Sequence, residues 1–456
     1  MKKMLFLALA AAGMLTACSN EDNLGGNGEE LAGQPKIQLG VSSNVGVSTR
    51  GTGTVGDLTG ENNVWAGQDL WVYMLQKGSM ELGYYKTPEE INGNQAGTAV
   101  FDNEKFTAPK MTVNDETVNE EGVSSGIAST VSGKIAYYPV SGNYDFWGYR
   151  VDDAIAGATP DVKLLDAEGN ETQDAANAVK RVVDININGS QDIMAGKAEP
   201  SQEEIQKLGQ YKDNFYSAFA ARKDVQPNIN FKHLLSRFTF EVRAGSKAAA
   251  GKGAGVNTEA VRVTGISVNS KTAGQLTVAH TDAVASDPVL TFAGNFEDVA
   301  TPLALMQRDQ ANSSHNEKLV PLREVELTWP LDDQDQPKDT DDEGQPITTG
   351  DVISVGEALL VAPGEASYPL TIDLAQKIVK NIDGTVEEQK LQQKSNIKID
   401  GVKTFEAGKS YKVTITVYGL EEIVVTATLQ PWENGGSIDI DDDRDPNNGI
   451  FTEPTE

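Results

Sequence analysis

Residues 37–47 read IQLGVSSNVGV, and apolar side chains alternate with small or polar ones along this stretch. The apolar positions are Ile37, Leu39, Val41, Val45 and Val47. The positions between them include Gln38, Gly40, Ser42 and Asn44. Only an extended strand places every second residue on the same face. The stretch therefore predicts a strand that buries five aliphatic side chains.

Similar segments recur along the chain, and they are separated by Gly, Asn, Asp and Pro. They are residues 69–75, 134–140, 143–149, 181–187, 237–243, 261–268, 370–374, 411–417 and 423–429. In residues 411–417, YKVTITV, apolar and polar side chains alternate, which predicts a strand with one face in the core and the other in solvent. Residues 69–75, DLWVYML, are apolar on both faces and predict a central strand. The predicted class is mainly β, with two tandem antiparallel β-sandwich domains.

Three local patterns refine this prediction. Residues 201–211 begin like a capped helix with acids in the first turn, and residues 374–379 give a marginal helical signal. The apolar phase shifts at Gly265, which predicts a β-bulge. Residues 332–350, DDQDQPKDTDDEGQPITTG, carry too much like charge to be buried and predict a solvated loop.

The chain begins like an exported lipoprotein. Residues 1–17 have the charged start and short apolar run of a signal peptide, and they end in LTA before Cys18. This order resembles the lipobox of bacterial lipoproteins, in which the cysteine accepts acyl chains such as palmitate. Cys18 is also the only cysteine, so no internal disulfide is expected.

Composition changes divide the remainder into four predicted parts. Residues 18–36 are a lipidated cysteine and flexible tether, residues 37–226 an N-terminal domain, residues 227–436 a C-terminal domain, and residues 437–456 an acidic tail. The border is placed before Pro227, which follows a short polar turn. The net charge of −29 argues against nucleic-acid binding because a negative field repels phosphates.

Several motifs together resemble the fimbrillins of Bacteroidetes, over roughly residues 1–435. They are the lipobox, TRG at 49–51, YYP at 137–139, YDFW at 144–147, DIM at 192–194, NFKHLLSR at 230–237, VTATL at 425–429 and PW at 431–432. The resemblance implies tandem transthyretin-like β-sandwiches that build type V pili or their tip and accessory subunits.

The resemblance also implies an assembly mechanism. A protease cuts after an arginine that follows the first strand, here between Arg50 and Gly51, and a neighbouring subunit's strand then fills the slot. In family stalk subunits the donor is a C-terminal extension. The candidates here are Ile438 and Ile440, but the acids and Pro446 that follow interrupt the alternation and leave a tip, anchor or accessory role open.

Signals for catalysis or metal binding are few. The three histidines His233, His280 and His315 lack zinc spacing, and a structural role is predicted for His233 near Ser236. A weak calcium candidate is formed by Asp439, Asp441, Asp443 and Asp445, but it lacks the glycine and closing Glu of a calcium loop. No cofactor is expected. Trp71, Trp147 and Trp432 are predicted to be core residues, and Trp65 a partner contact.

These observations predict a non-enzymatic fimbrial structural, tip or accessory subunit at the outer membrane or cell surface, where it mediates adhesion. The expected partners are other fimbrial subunits, an arginine-specific protease, the outer membrane through the lipid anchor, and surface glycans or proteins. The alternative is a monomeric glycan-binding or nutrient-capture lipoprotein. A glycoside hydrolase ranks third, because two carboxylates among 67 acids are compatible with it.

Overall fold

The computed structural model of the protein describes residues 35–43, 69–86, 97–107, 128–129, 136–151, 160–252, 259–281, 288–308, 319–379, 385–399, 401–430 and 437–438. These residues form mainly β structure, as predicted, with strands stacked in layered sheets. No helix among them has the length and apolar character needed to cross a membrane.

The first sandwich pairs an eight-stranded sheet with a five-stranded one. In spatial order the larger sheet contains β26 (Ser437–Ile438), β1 (Gly40–Ser43), β12 (Asn228–His233), β11 (Ile193–Lys197), β7 (Tyr144–Val151), β2 (Asp69–Gln76), β5 (Glu104–Thr107) and β6 (Ala128–Ser129). The smaller contains β16 (Val289–Phe292), β15 (Ala273–His280), β10 (Lys180–Asn186), β8 (Val162–Leu165) and β9 (Glu171–Thr172).

Strand β2 is buried on both faces, as its sequence predicted. Trp71, Tyr73 and Leu75 face the five-stranded sheet and share a cluster with its Val183 and Ile185. On the opposite face Leu70, Val72 and Met74 belong to a second cluster, which is closed by residues 136–138 and by side chains of residues 208–225. Trp71 and Trp147 are core residues, as predicted, with exposed fractions of 6% and 1%.

The second sandwich is built from the later strands. One sheet contains β21 (Ile353–Val361), β13 (Ser236–Ala244), β24 (Ser410–Val417) and β25 (Ile423–Gln430). The other contains β17 (Thr301–Ala304), β14 (Arg262–Ser270), β22 (Tyr368–Val379) and β23 (Val386–Ile397), with β20 (Val325–Glu326) also paired to β14. Two hairpins complete the strands: β3 (Tyr84–Tyr85) with β4 (Thr98–Ala99), and β18 (Met306–Arg308) with β19 (Leu319–Pro321).

Helices are short. They are α1 (Gln202–Leu208), a 3-10 helix (Gly209–Asn214), α2 (Ala218–Ala221) and α3 (Phe296–Val299). Helix α1 confirms the signal at residues 201–211, because Ser201 and Glu204 form a capping box at its start. The helical prediction for residues 374–379 is wrong. They extend strand β22, whose pairing with β23 along its whole length overrides a weak local propensity.

The bulge predicted at Gly265 is confirmed, since the register between β14 and β22 shifts between Val263 and Gly265. The loop prediction for residues 332–350 also holds, because they contain turns and isolated bridges rather than named strands. Asp332 Oδ1 accepts hydrogen bonds from the backbone N–H of Gln334 and Gln336, both at 2.8 Å. Asp341 repeats this arrangement nine positions later.

Two features of the strand pairing were not part of the sequence expectations. Strand β12, which follows the predicted border at 226/227, pairs within the first sandwich, and the short turn from β14 to β15 returns the chain to that sandwich. The pairs β1–β12 and β13–β24 are parallel, within sheets whose other pairs are antiparallel. One sequence expectation needs correction. Residues 136–140 form one isolated bridge instead of a strand, and Pro139 has no N–H to donate.

Candidate assembly site at the edge of the first sheet

The first described segment, residues 35–43, packs in the second cluster, on the face of the eight-stranded sheet that points away from the five-stranded sheet. Ile37, Leu39 and Val41 are each 0% exposed, which confirms the predicted alternation for these three positions. They pack in the same cluster as Ile229 and Phe231 of β12. Val45 and Val47, the other two predicted members of the strand, lie outside the described residues.

Backbone hydrogen bonds hold this segment at two separate places along its length. Ile37 N donates to Ala136 O at 2.9 Å, and Tyr138 N donates to Pro35 O at 3.1 Å. Further along, Gly40 N donates to Pro227 O at 3.0 Å, and β1 then runs parallel to β12 with Val41 opposite Ile229. Residues 35–43 therefore change neighbours near Gln38, between the two stretches of pairing.

The side-chain amide of Gln226 binds the backbone at the point where the segment changes neighbours. Its Nε2 donates to Lys36 O at 3.2 Å, and its Oε1 accepts from Gln38 N at 3.3 Å. The Tyr138 hydroxyl also donates to Gln226 Oε1, at 3.5 Å. Burial raises the pKa of Tyr138 well above its usual value, so this hydroxyl stays a donor. Gln226 is therefore a clamp on the first segment.

The C-terminal segment covers the other side of β1. In the antiparallel pair β1–β26, Val41 lies opposite Ile438 and Ser42 opposite Ser437. Ile438, one predicted donor residue, is therefore paired to the predicted displaceable strand of its own chain. Ile440, the other predicted donor residue, lies outside the described residues.

Strand β12 is fixed to the rest of the sheet independently of β1. A Cβ added at Gly196 of β11 would lie only 2.0 Å from Asn230 O, so the two backbones approach more closely than any side chain allows. At the end of β12, His233 Nδ1 lies 2.8 Å from Asp192 Oδ2, and both side chains are fully buried. Strand β12 therefore has contacts within the sheet that do not involve β1.

The polar residues of the sequence motifs have structural contacts. Asp192 of the DIM motif and His233 of the NFKHLLSR motif form the buried pair, which agrees with the structural role predicted for His233. Ser236 Oγ donates to Glu406 O at 2.7 Å. His280 packs edge-on against Trp147, with ring centroids 5.2 Å apart.

Other predicted site residues lie outside the described part of the chain. They are Cys18, Arg50, Gly51, Trp65, His315, Trp432 and the acids Asp439, Asp441, Asp443 and Asp445. Where the structure does describe the chain, no group of three or more His, Cys, Asp and Glu residues is placed to hold a metal ion.

Sequence reasoning missed the clamp and the parallel pairing. The sequence places Gln226 at the end of a domain, because Pro227 follows it. That position gives no sign of its contacts with residues 36 and 38. The available signal was the apolar alternation of Ile229 and Phe231, which matches that of Leu39 and Val41 and marks two strands suited to the same core face.

The chain is similar to bacterial adhesion and fimbrial proteins. A candidate cell adhesion protein of Bacteroides uniformis is 14% identical with a TM-score of 0.37, over 89% of this chain and 100% of the other. The fimbrial anchor protein Mfa2 of Porphyromonas gingivalis is 9% identical with a TM-score of 0.28, over 88% and 100%.

The tip fimbrial protein Mfa3 of Porphyromonas gingivalis, truncated at its C-terminus, is 11% identical with a TM-score of 0.25 over 87% of this chain and 100% of that protein. No protein-family model and no curated protein matches the sequence.

Proposed function

We propose that the protein is a fimbrial subunit, exported as a lipoprotein through Cys18, which assembles at the cell surface by exchange of its first strand. The observation that carries the proposal is the position of β1. It is buried in the core, yet it lies near the sheet edge between the fixed strand β12 and the two-residue strand β26.

The proposed sequence of events begins with cleavage after Arg50. The cut releases the segment that contains β1 from the rest of the chain. Once β1 leaves, β12 exposes an unpaired edge and an apolar slot, and a strand of a neighbouring subunit fills both. The same cut would detach the protein from its lipid at Cys18, so anchoring and assembly are sequential steps.

Ile37, Leu39 and Val41 are the three fully buried side chains that the first segment contributes. Each contributes about 1.5–3 kcal/mol through burial, so an empty slot costs several kcal/mol and favours refilling. A donor with aliphatic side chains at alternate positions would recover that burial and the backbone hydrogen bonds together. The cleaved monomer that has lost β1 is thus the least stable species in this series of steps. Assembly then lowers the free energy by refilling the slot.

The pairing of β26 with β1 supports a further feature of the proposal. The tail residues Ser437 and Ile438 have their strand partner in β1 only for as long as β1 remains in place. When β1 leaves, the tail loses that partner and becomes free to pair with another chain. Cleavage would in this way open the acceptor edge and release the donor in one event.

Limited proteolysis tests the proposal. The full chain is incubated with an arginine-specific protease and compared with an Arg50→Gln variant. We expect a product that begins at Gly51 and heat-labile oligomers for the native chain, and an intact monomer for the variant. A cleaved chain that remains monomeric would favour the alternative of a monomeric capture lipoprotein.

Mass spectrometry of native surface material tests the export step. The expected mature chain before cleavage begins at Cys18 and carries acyl chains, and a Cys18→Ser variant lacks them. Cleaved material should begin at Gly51 and carry no lipid, because the cut removes Cys18. Uncleaved material that begins at a residue other than Cys18 and carries no lipid would contradict the lipoprotein assignment.

A further inference from the structure

A cleft with mixed polar and apolar walls opens at one end of the first sandwich, between its two sheets. It has a volume of about 360 Å³, which suits a single sugar ring with part of a neighbour. Gln76 and Asp102 come from the side of the eight-stranded sheet, and Leu164 and Arg181 from the five-stranded sheet. Strands β12, β11 and β7 separate β2, which supplies Gln76, from the assembly edge at β1.

Arg181 forms the base of the cleft and is only 7% exposed. Its Nη2 donates to Met80 O at 2.8 Å, and its guanidinium lies 4.7 Å over the ring of Tyr73. These contacts fix the direction of the guanidinium, so it offers a donor at a defined position. A fixed donor reduces the entropy lost when a ligand binds.

The spacing of Arg181 and Asp102 leaves room for a ligand hydroxyl. Arg181 Nη1 lies 4.0 Å from Asp102 Oδ1, which is longer than a direct hydrogen bond. A hydroxyl placed beside both can accept from the guanidinium and donate to the carboxylate at the same time. Such a hydroxyl would be held by two charge-assisted hydrogen bonds.

The remaining walls are partly apolar. Leu82 and Leu164 line the cleft and are half-buried, and Tyr84 lines it with 46% of its surface exposed. Apolar and aromatic surfaces match the C–H face of a sugar ring, while Gln76 and Glu81 offer further polar groups to its hydroxyls. The lining thus combines the two kinds of surface that a pyranose presents.

Charge narrows the class of ligand. Glu81, Asp102 and Asp174 contribute three carboxylates against one guanidinium, so a phosphate, a sialic acid or a uronic acid would be repelled. A divalent ion is also not favoured, since no group of acids in the described residues is arranged to hold a metal. The ligand class that fits best is neutral and rich in hydroxyls.

We infer that this cleft binds the neutral end of a saccharide, with Asp102 and Arg181 holding one hydroxyl and Tyr84 contacting the ring face. The cleft lies apart from the assembly edge, so it binds its ligand whether or not β1 has been exchanged. This activity goes beyond strand exchange and does not depend on it.

The test uses the full chain on an array of immobilised neutral oligosaccharides that end in mannose, galactose, glucose, fucose or N-acetylglucosamine, with sialylated forms beside them. We expect binding to at least one neutral terminus and weaker binding to its sialylated form. The Tyr84→Ala and Asp102→Asn variants should each weaken binding by about fivefold or more, as expected for loss of one ring contact or one charge-assisted hydrogen bond.

Tyr211→Ala is the matched control, because Tyr211 is 47% exposed and lies on the 3-10 helix away from the cleft. It should bind like the native chain. The inference is overturned if no neutral glycan binds, if sialylated forms bind better, or if neither cleft variant weakens binding. Repeating the assay with the uncleaved Arg50→Gln variant separates the two proposals, because its binding should be unchanged while its assembly is blocked.

Discussion

Val41 of the first strand lies opposite Ile438 of the C-terminal segment, so the two ends of the described chain meet at one sheet edge. On its other side Val41 lies opposite Ile229 of the fixed strand β12. The residue therefore links three segments that are far apart in sequence. Movement of β1 must alter both the tail and the β12 edge, and this coupling leads to the predictions that follow.

Gln226→Ala should loosen the first segment without unfolding the protein. The change removes the amide that contacts Lys36 O and Gln38 N, and we expect a loss of stability of about 1–2 kcal/mol. Hydrogen exchange should increase at residues 36–39, and protease-triggered assembly should become faster.

Gln376→Ala is the matched control for this clamp, because Gln376 Nε2 also donates to a backbone oxygen, that of Glu259, but in the second sandwich. Equal hydrogen exchange at residues 36–39 in the two variants would show that Gln226 does not hold the first segment in place.

Leu39→Ala should be strongly destabilising. Leu39 is fully buried, and truncation of a core leucine costs about 2–5 kcal/mol through lost burial and the cavity left behind. Leu429→Ala, at a position 58% exposed, should change the free energy of unfolding by about 0.5 kcal/mol or less. Chemical denaturation of both variants measures the difference, and similar values would mean that residues 35–43 do not contribute to the core.

Asp192→Ala should destabilise the sheet at the end of β12. It leaves the fully buried His233 ring without its carboxylate partner, and removing the partner of a buried hydrogen-bonding group costs about 1–3 kcal/mol. Thermal unfolding checks this expectation. A loss below about 1 kcal/mol would indicate that this part of β12 is held by packing alone.

Asp332 should titrate below an ordinary aspartate. Hydrogen bonds from the backbone N–H of Gln336 and Gln334 lower its pKa, so the ionised carboxylate stabilises the turn. This contribution is present above the pKa of the unfolded chain and is lost as the pH falls through the lowered folded value.

NMR titration of the Asp332 carboxyl, together with the amide shifts of Gln334 and Gln336, measures this effect. The Asp332→Asn variant should remove the acid-dependent change in both amides. A carboxyl that titrates at or above the usual aspartate pKa would contradict the turn geometry.

Local patterns predicted much of the fold. Alternation identified β13 and β24, the two apolar faces of residues 70–75 identified a central strand, and Gly265 marked a bulge. These features depend on a few neighbouring residues, whose side chains must match one or two buried faces whatever the rest of the chain does.

Long-range pairing could not be predicted in the same way. Strand β23, residues 386–397, is rich in Glu, Gln and Lys and has no strand-like pattern, yet it pairs with β22 along its whole length. Its charged side chains suit an exposed sheet edge, which local propensity does not describe. The parallel pair β1–β12 likewise depends on a register between residues about 190 positions apart.

Of the candidate site, the burial of Ile37, Leu39 and Val41 was predictable, since it follows from alternation alone. The clamp by Gln226 and the pairing of Ile438 with Val41 were not, because a polar side chain and a two-residue strand carry no periodic signal. The same holds for the cleft at Arg181, which is formed by loops and strand ends from both sheets.

A reversible disulfide between β1 and β12 tests the central claim most directly. In a Cys18→Ser background, Val41→Cys and Ile229→Cys place thiols on directly opposed residues, roughly 4.8 Å apart between strands and within disulfide reach. A Thr414→Cys and Thr426→Cys pair across β24–β25 provides a disulfide elsewhere. After cleavage at Arg50, we expect the oxidised β1–β12 lock to stay monomeric and to assemble once reduced, while the control assembles in both states. Oligomers of equal yield from the oxidised lock would contradict strand exchange at β1.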